Sequence, residues 1–298
     1  MGVTFRIPLL WEVVPQATPA GARHKNLHDL IVPVSMIIPL AISAAAVTCT
    51  FIYASCRDLK ERRVPFRTWY PMLAVTLPMA AWFYLMMIAG GQWTVLAYFL
   101  AMTGVFSIVF YLFAWLNLFG GADAWALIFL SASVPAFPIE PLSGYPPTGF
   151  FPFSVLVNAL LLNLLTPLIL GLQNLVHGRR APFPYMFLGF PVRATDLPGA
   201  FGFIMEEIEE DEDGSLKRRF VGPGEAIRRM VSGKKRIYTK DLRLHPGDYT
   251  REMALYQKAE TVWISYGIPF IVPLTAGLLT ALFFGDILYF LMKWIIGA

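Results

Sequence analysis

Three acidic residues lie beside long uncharged stretches of the sequence, where a charged side chain is costly and usually has a function. Asp58 follows the uncharged residues 30–56, Asp123 follows the uncharged residues 68–122, and Asp286 lies near the C-terminus. Two carboxyl groups that share a water molecule can hydrolyse an amide bond. One of them, ionised, takes a proton from the water, and the other, protonated, polarises the carbonyl group. Which of these acids can pair depends on the membrane depth of each.

The overall composition indicates a membrane protein with several spans. Charged residues make up 15% of the 298 residues and hydrophobic residues 56%, and the mean hydropathy is +0.57. Soluble domains contain about 25% charged residues, and a soluble fold could not bury this much apolar surface. The same figures exclude a disordered chain, and two cysteines exclude a disulfide-stapled secreted domain.

The uncharged stretches predict six transmembrane helices, at about 20 residues per crossing. The stretch 68–122 is too long for one helix, and Gly90 and Gly91 are the natural break within it. The predicted helices cover residues 32–55, 69–89, 94–117, 121–135, 150–176 and 261–292.

Basic residues predict the orientation of these helices. Most of the 24 Lys and Arg residues fall in the loop 57–67 or in the segment 179–258. The positive-inside rule places both segments on the cytoplasmic side, and the loop 138–147, which has no Lys or Arg, on the outside. Asp58 at the inner end of the first helix and Asp123 at the start of the fourth are then predicted at the same depth.

Each aspartate alone also has a structural interpretation. Asp58 could pair with Arg57 and Arg62 in a loop beside the membrane, and Asp123 could cap the fourth helix. Their common depth favours the catalytic interpretation. Asp286 is predicted toward the outer end of the sixth helix, far from the other two acids, as a polar contact.

These patterns divide the chain into four parts. Residues 1–31 are predicted to be an N-terminal leader segment outside the cytoplasm or on the membrane surface. Residues 32–177 form a membrane bundle with both candidate acids, 178–260 a cytoplasmic soluble domain, and 261–298 the sixth helix and the C-terminus. The fold class is an all-α polytopic membrane protein with six transmembrane helices and a small α+β cytoplasmic domain inserted before the last helix. Alternation at 241–244 predicts a short strand in that domain.

The sequence predicts no metal site and no cofactor. The two cysteines, Cys49 and Cys56, lie in or at the end of the first helix, and the four histidines are scattered. No His-Glu-x-x-His motif is present, which disfavours a zinc protease. No Gly-x-Ser-x-Gly motif is present either, which disfavours a serine hydrolase.

Two short motifs contain the candidate acids: Asp-Leu-Lys-x-Arg-x-Val-Pro at 58–65 and Gly-Gly-Ala-Asp at 120–123. With six predicted spans, they resemble the archaeal type IV prepilin and preflagellin (prearchaellin) peptidases, membrane aspartic peptidases of the Gly-x-Gly-Asp type. The resemblance implies a catalytic dyad of Asp58 and Asp123. It further implies residues that shape the site or bind substrate, namely Gly120, Gly121, Ala122, Lys60, Arg62 and Pro65. Ala122 departs from the family pattern, which has a second glycine there. The glycines would let the backbone bend or approach a substrate closely.

The resemblance implies that a short basic leader is removed from pilin-like or archaellin precursors at the cytoplasmic membrane face. Bacterial relatives carry a cysteine-rich domain and also methylate their products; nothing like that domain is present, so methyltransferase activity is not predicted. Two other classes stay open. One is a proton- or ion-coupled transporter subunit, although no internal repeat is found, and the other is a non-catalytic scaffold of a pilus or archaellum assembly system.

The inserted domain contains an acidic run, residues 206–213, of which seven in eight are acidic. This run could attract a basic leader, and a solvated mobile loop is the competing interpretation. The residues proposed for leader attraction are Glu206, Glu207, Glu209 and Glu210. The basic runs 217–219, 228–229 and 234–236 are expected to meet anionic head groups, so membrane lipids are expected partners. Nucleic acid is not an expected partner, because the basic inner loops of a membrane protein already explain the pI of about 9.0.

Overall fold

The structure is a computed structural model of the 298-residue chain. It describes residues 34–116, 119–222, 224–225, 237–265 and 269–296. The predicted N-terminal segment 1–31 lies outside the described residues, as do two of the basic runs predicted to meet lipid, 228–229 and 234–236.

Five helices come first in the described chain: α1 (Val34–Glu61), α2 (Tyr70–Ala89), α3 (Trp93–Trp115), α4 (Gly121–Ser133) and α5 (Phe151–Val176). The predicted first, second, third and fifth transmembrane helices are confirmed, since α1, α2, α3 and α5 are long and apolar enough to cross a membrane. The helix α4 has 13 residues. At 1.5 Å per residue it is about 20 Å long, shorter than the ~30 Å apolar layer of a bilayer.

The helix α1 continues past its predicted end at residue 55, so Asp58 lies in its last turn rather than in the loop that follows. It ends where Arg62 takes a left-handed conformation with φ of 52°, a common way to end a helix. The N–H of Arg62 donates to the carbonyl oxygen of Asp58 at 2.9 Å. A 3₁₀ turn (Phe66–Trp69) then leads into α2. Trp69 is buried edge-on against Phe51, with ring centroids 6.1 Å apart, and this contact holds α2 beside α1.

Two small antiparallel sheets and three short helices lie in the described part of the polar region that follows α5. The strand β1 (Gly189–Arg193) pairs with β4 (Thr261–Ser265), and β2 (Glu206–Glu210) pairs with β3 (Leu216–Phe220). The helices are α6 (Tyr185–Leu188), α7 (Thr239–Leu244) and α8 (Thr250–Ala259). The buried core between them includes Leu197, Leu242, Tyr256, Val262 and Ile264.

Two interpretations of this region are wrong. The strand predicted at 241–244 is part of the helix α7. In a strand Leu242 and Leu244 would share one face, whereas in a helix they point apart; Leu242 is buried and Leu244 is 55% exposed. The loop interpretation of residues 206–213 is also wrong for the first five of these residues, which form β2, whereas residues 211–213 are an exposed turn.

The predicted sixth transmembrane helix, 261–292, is wrong as a single helix. Its first residues, Thr261–Ser265, form β4, and their β-branched and aromatic side chains suit a strand with a partner. The helix α9 (Ile271–Phe283) follows, and α10 (Ile287–Ile296) leaves it at a bend of 55°. Among the described residues four helices can cross a membrane, or five crossings result if the bent pair counts as one; six are not confirmed.

Buried polar groups hold the break between α9 and α10. The Oδ2 atom of Asp286 accepts a hydrogen bond from the Ser154 hydroxyl at 2.8 Å, and its Oδ1 atom accepts a backbone N–H of α10 at 2.9 Å. The Asn158 side chain donates to the carbonyl of Gly285 at 2.8 Å and accepts from the N–H of Ile287 at 2.9 Å. The backbone groups freed by the bend are thereby satisfied, which matches the prediction that Asp286 is a polar contact.

The helix α9 is the central element of the bundle, packed against α5, α1 and α4. Its approach to α5 depends on Gly277. A Cβ atom there would lie 2.5 Å from the carbonyl oxygen of Val155 and 2.6 Å from the backbone nitrogen of Ala159. Small residues at such crossings let helix backbones come close, and this close packing brings the N-terminal end of α9 into the bundle.

Candidate active site

Asp58 and Asp123 come together in the structure. The helices that carry them, α1 and α4, pack against each other, and the charge of Asp58 acts on the Asp123 carboxyl group. Both residues are partly buried. Two like charges in a partly buried site resist simultaneous ionisation, so such a pair favours one ionised and one protonated carboxyl group.

The start of α9 contributes a third element to this site. Ile271 is the first residue of α9, so its N–H has no partner within the helix. This N–H donates to the Asp123 carboxyl group. Phe119 and Phe270 pack edge-on with ring centroids 5.0 Å apart, which holds the starts of α4 and α9 together. The carboxyl group of Asp123 is therefore held between two helix ends that are far apart in sequence.

Asp123 is not the cap of α4. The N-cap residue is Gly120, and no side-chain hydrogen bond caps the helix there. Asp123 lies in the first turn of α4, where the helix dipole favours a negative charge. The carboxyl group lies beside its own helix end at Gly120 and also accepts from the N–H of Ile271 in a neighbouring helix.

The two glycines before Asp123 have different surroundings. A Cβ atom on Gly120 would lie 2.5 Å from Oδ2 of Asp123 and 3.4 Å from its Cγ atom, whereas a Cβ atom on Gly121 would meet nothing within 4 Å. Gly120 therefore leaves space for the carboxylate itself. Ala122, where the family pattern has glycine, is partly buried.

The basic residues near Asp58 also differ in their partners. Arg57 forms an ion pair with Glu61, one helical turn away, at 3.0 Å. Arg62 is the cation whose charge acts on Asp58. Lys60 and Pro65 are exposed. Of the two arginines predicted to pair with Asp58, one has a different acidic partner and the other is close enough to influence Asp58.

Arg62 also connects the site to the polar region. Its guanidinium group lies over the ring of Phe201, 5.3 Å from the centroid, and that of Arg243 lies 5.9 Å from the same centroid. A groove of about 670 Å³ adjoins this contact, lined by Arg62, Phe190, Val192, Thr195, Asp196, Gly199, Ala200 and Phe201. The polar region is therefore in direct contact with the segment that follows Asp58.

Three of the four glutamates proposed to attract a leader are already paired. Glu206 is 3% exposed and forms a two-bond ion pair with Arg218 at 2.8 and 3.1 Å. Glu207 pairs with Arg219, and Glu210 pairs with Lys258 at 2.6 Å. Glu209 is exposed.

These pairs also concern the basic run 217–219, which was expected to meet lipid. Two of its residues, Arg218 and Arg219, bond to carboxylates of the neighbouring strand β2. The opposite charges of β2 and β3 therefore largely compensate each other across the sheet.

Several residues of the site had no motif to reveal them. Ile271 acts through its backbone N–H, which no sequence pattern indicates, and Phe201 lies in a segment without a recognisable motif. Ser55 and Thr275, which are buried, could have been noticed as hydroxyls in apolar helices. Among the described residues, no group of three His, Cys, Asp or Glu side chains could hold a metal ion.

Apolar helices long enough to cross a membrane, together with two carboxyl groups that influence each other, are features expected of a membrane aspartic peptidase. Two family models match successive parts of the chain. The Type IV leader peptidase family matches residues 45–172, a range that includes both aspartates, and the archaeal peptidase A24 C-terminus type II matches residues 181–287. Both matches support a type IV prepilin or preflagellin peptidase, and the chain is a peptidase.

Two relatives agree with this assignment. A preflagellin peptidase of Methanocaldococcus jannaschii is 23% identical over 241 residues, which cover 79% of this chain and 90% of that protein. A preflagellin peptidase of Methanococcus voltae is 24% identical over 249 residues, which cover 79% of this chain and 91% of that protein. The similarity therefore extends over nearly the whole length of both relatives.

Proposed function

We propose that this chain is an aspartic endopeptidase that removes the short basic leader from pilin-like or archaellin precursors. The observation that carries the proposal is the pairing of Asp58 with Asp123, whose carboxyl groups interact across α1 and α4. The two relatives named as preflagellin peptidases support this substrate class. The leader-attracting role of the acidic run is not part of the proposal, because three of its four glutamates have basic partners.

In the proposed mechanism the two carboxyl groups hold one water molecule between them. The ionised carboxylate removes a proton as the water oxygen attacks the carbonyl carbon of the peptide bond. The protonated carboxyl group donates its proton to the carbonyl oxygen. Collapse of the tetrahedral intermediate breaks the C–N bond. The leaving amine takes a proton from one carboxyl group, and a hydroxyl group of the intermediate returns a proton to the other, which restores the dyad. The N–H of Ile271 orients Asp123 throughout by donating to its carboxyl group.

The proposed location of this chemistry is the cytoplasmic face of the cell membrane. Residues 57–67, which include Asp58, are rich in arginine, which supports a cytoplasmic position for the dyad. In this topology α4 and the bent pair α9–α10 complete six crossings. A precursor with a basic leader in the cytoplasm and an apolar helix in the membrane would then present its cleavage site at the dyad. Exposed apolar side chains such as Val105 and Ile108 would face lipid.

The test is leader removal from a pilin-like or archaellin precursor by the full chain in membranes. Asp58→Asn and Asp123→Asn should each abolish cleavage while insertion stays normal, because either change removes one member of the dyad. Asp286→Asn is the matched control, since its amide can still accept from α10 and donate to Ser154. It should retain activity. Near-normal cleavage by either dyad variant would refute the proposed mechanism.

A further inference from the structure

A pair of buried hydroxyl groups joins α1 to α9, one helical turn before Asp58. Ser55 is 8% exposed and Thr275 is 7% exposed. Their hydroxyl oxygens lie 2.8 Å apart. The Ser55 hydroxyl also contacts the carbonyl oxygen of Ile271 at 3.1 Å, and the Thr275 hydroxyl contacts the same oxygen at 2.8 Å. A fourth contact, 3.2 Å, joins the Thr275 hydroxyl to the carbonyl oxygen of Phe51 in α1. The two hydroxyl protons thus serve four contacts, of which three join the two helices and one, from Thr275 to Ile271, lies within α9.

This pair is connected to both members of the proposed dyad. Ser55 lies one helical turn before Asp58, and residues three apart share a face of a helix. Ile271, whose carbonyl both hydroxyls contact, is the residue whose N–H donates to Asp123. A shift of α9 relative to α1 would therefore move the support of Asp123 relative to the helix that carries Asp58.

We propose that Ser55 and Thr275 are positioning residues that set the separation of Asp58 and Asp123. They hold the first turn of α9 against α1, and Ile271 transmits that position to Asp123. This inference rests on the proposed function, because it assigns the hydroxyls a role in the same dyad. It adds two residues that do not touch the reacting atoms.

Other hydroxyls in the same two helices show what an ordinary hydroxyl does there. The Thr50 hydroxyl of α1 donates to the carbonyl of Ala46 at 2.9 Å, and the Thr280 hydroxyl of α9 donates to the carbonyl of Ala276 at 2.9 Å. Both bonds stay within one helix, four residues back along the chain. The hydroxyls of Ser55 and Thr275 reach across to a different helix, so Thr50 and Thr280 provide matched controls.

The experiment measures kcat and KM of the full chain in membranes with a pilin-like or archaellin precursor. Ser55→Ala and Thr275→Val should each lower kcat by about tenfold or more, because a catalytic group misplaced by about 1 Å can cost about a hundredfold. KM should change by less than about twofold, since substrate contacts are intact. Thr275→Ser keeps the hydroxyl group and should therefore have a kcat close to that of the wild type. Thr50→Val and Thr280→Val should retain wild-type kcat.

A wild-type kcat in both Ser55→Ala and Thr275→Val would overturn the inference. A fall in thermal stability at unchanged kcat would show that the two hydroxyls have a structural role only. A raised KM at unchanged kcat would overturn the inference as well. If Thr275→Val fails to insert, Ser55→Ala decides, because it removes only one oxygen atom. Failure of the proposed function would appear differently, as cleavage that survives Asp58→Asn or Asp123→Asn.

Discussion

Substitution of Gly120 by alanine should displace the Asp123 carboxylate while the backbone stays where it is. The φ and ψ angles of Gly120 are −63° and 133°, a region open to alanine, so the backbone gives no strain. The obstacle is the added methyl group, which would lie 2.5 Å from Oδ2 of Asp123. An ordinary contact needs about 3.5 Å. The carboxylate must therefore move by about 1 Å, toward or away from Asp58.

A displacement of that size is large on the scale of catalysis. Misplacing a reacting group by about 1 Å can lower the rate about a hundredfold. We therefore expect Gly120→Ala to lower kcat by about 30- to 100-fold. Because alanine is a poorer N-cap than glycine, stability should also fall by about 1 kcal/mol, too little to unfold the chain.

The assay is precursor cleavage by equal amounts of inserted protein, with thermal unfolding followed in parallel. Gly121→Ala, one residue further along the chain, adds a methyl group to open space and should lower kcat by at most a few-fold. Gly104→Ala in α3 also adds its methyl group to open space, far from the dyad in sequence, and should leave kcat unchanged. If Gly120→Ala retained wild-type kcat, or if Gly121→Ala lost as much as Gly120→Ala, the explanation from the Asp123 contact would be refuted.

Two further predictions concern stability. Glu206→Gln removes the charge that compensates Arg218 across β2 and β3. Since Arg218 is about one third exposed, the loss of stability should be about 2 kcal/mol rather than the larger value of a fully buried pair. Equilibrium unfolding with urea should detect this loss, whereas an unchanged midpoint would show that solvent compensates the arginine. Gly277→Ala forces α9 away from α5 and should lower the free energy of unfolding by about 1–3 kcal/mol. Gly104→Ala, whose methyl group enters open space, is its control in thermal unfolding. Equal stabilities of the two variants would contradict the close approach of α9 to α5.

The break between α9 and α10 shows which features follow from the local sequence and which depend on residues far away in the chain. The run of apolar residues that ends the sequence predicts a single helix, because periodicity records only which residues are apolar. The bend at Gly285 depends on Ser154 and Asn158 of α5, which bond to the groups around the break. These partners lie more than a hundred residues away in the chain, so no local pattern could indicate them.

The acidic run gives a second example. A local excess of charge predicts solvation, since like charges repel in an isolated segment. In the folded chain β3 brings arginines opposite these glutamates, and Glu206 becomes buried against the N–H of Trp263. Strand pairing decided the environment of these side chains.

The sequence by itself determined the membrane character of the chain, four of its spanning helices and the two aspartates as the candidate pair. These features depend on composition, on runs of apolar residues and on short motifs, all of which are local. Tertiary structure alone decided that Ile271 supports Asp123 and that Ser55 meets Thr275. Each of these contacts joins helices distant in sequence, and their distances follow from how α1, α4 and α9 pack rather than from any local preference.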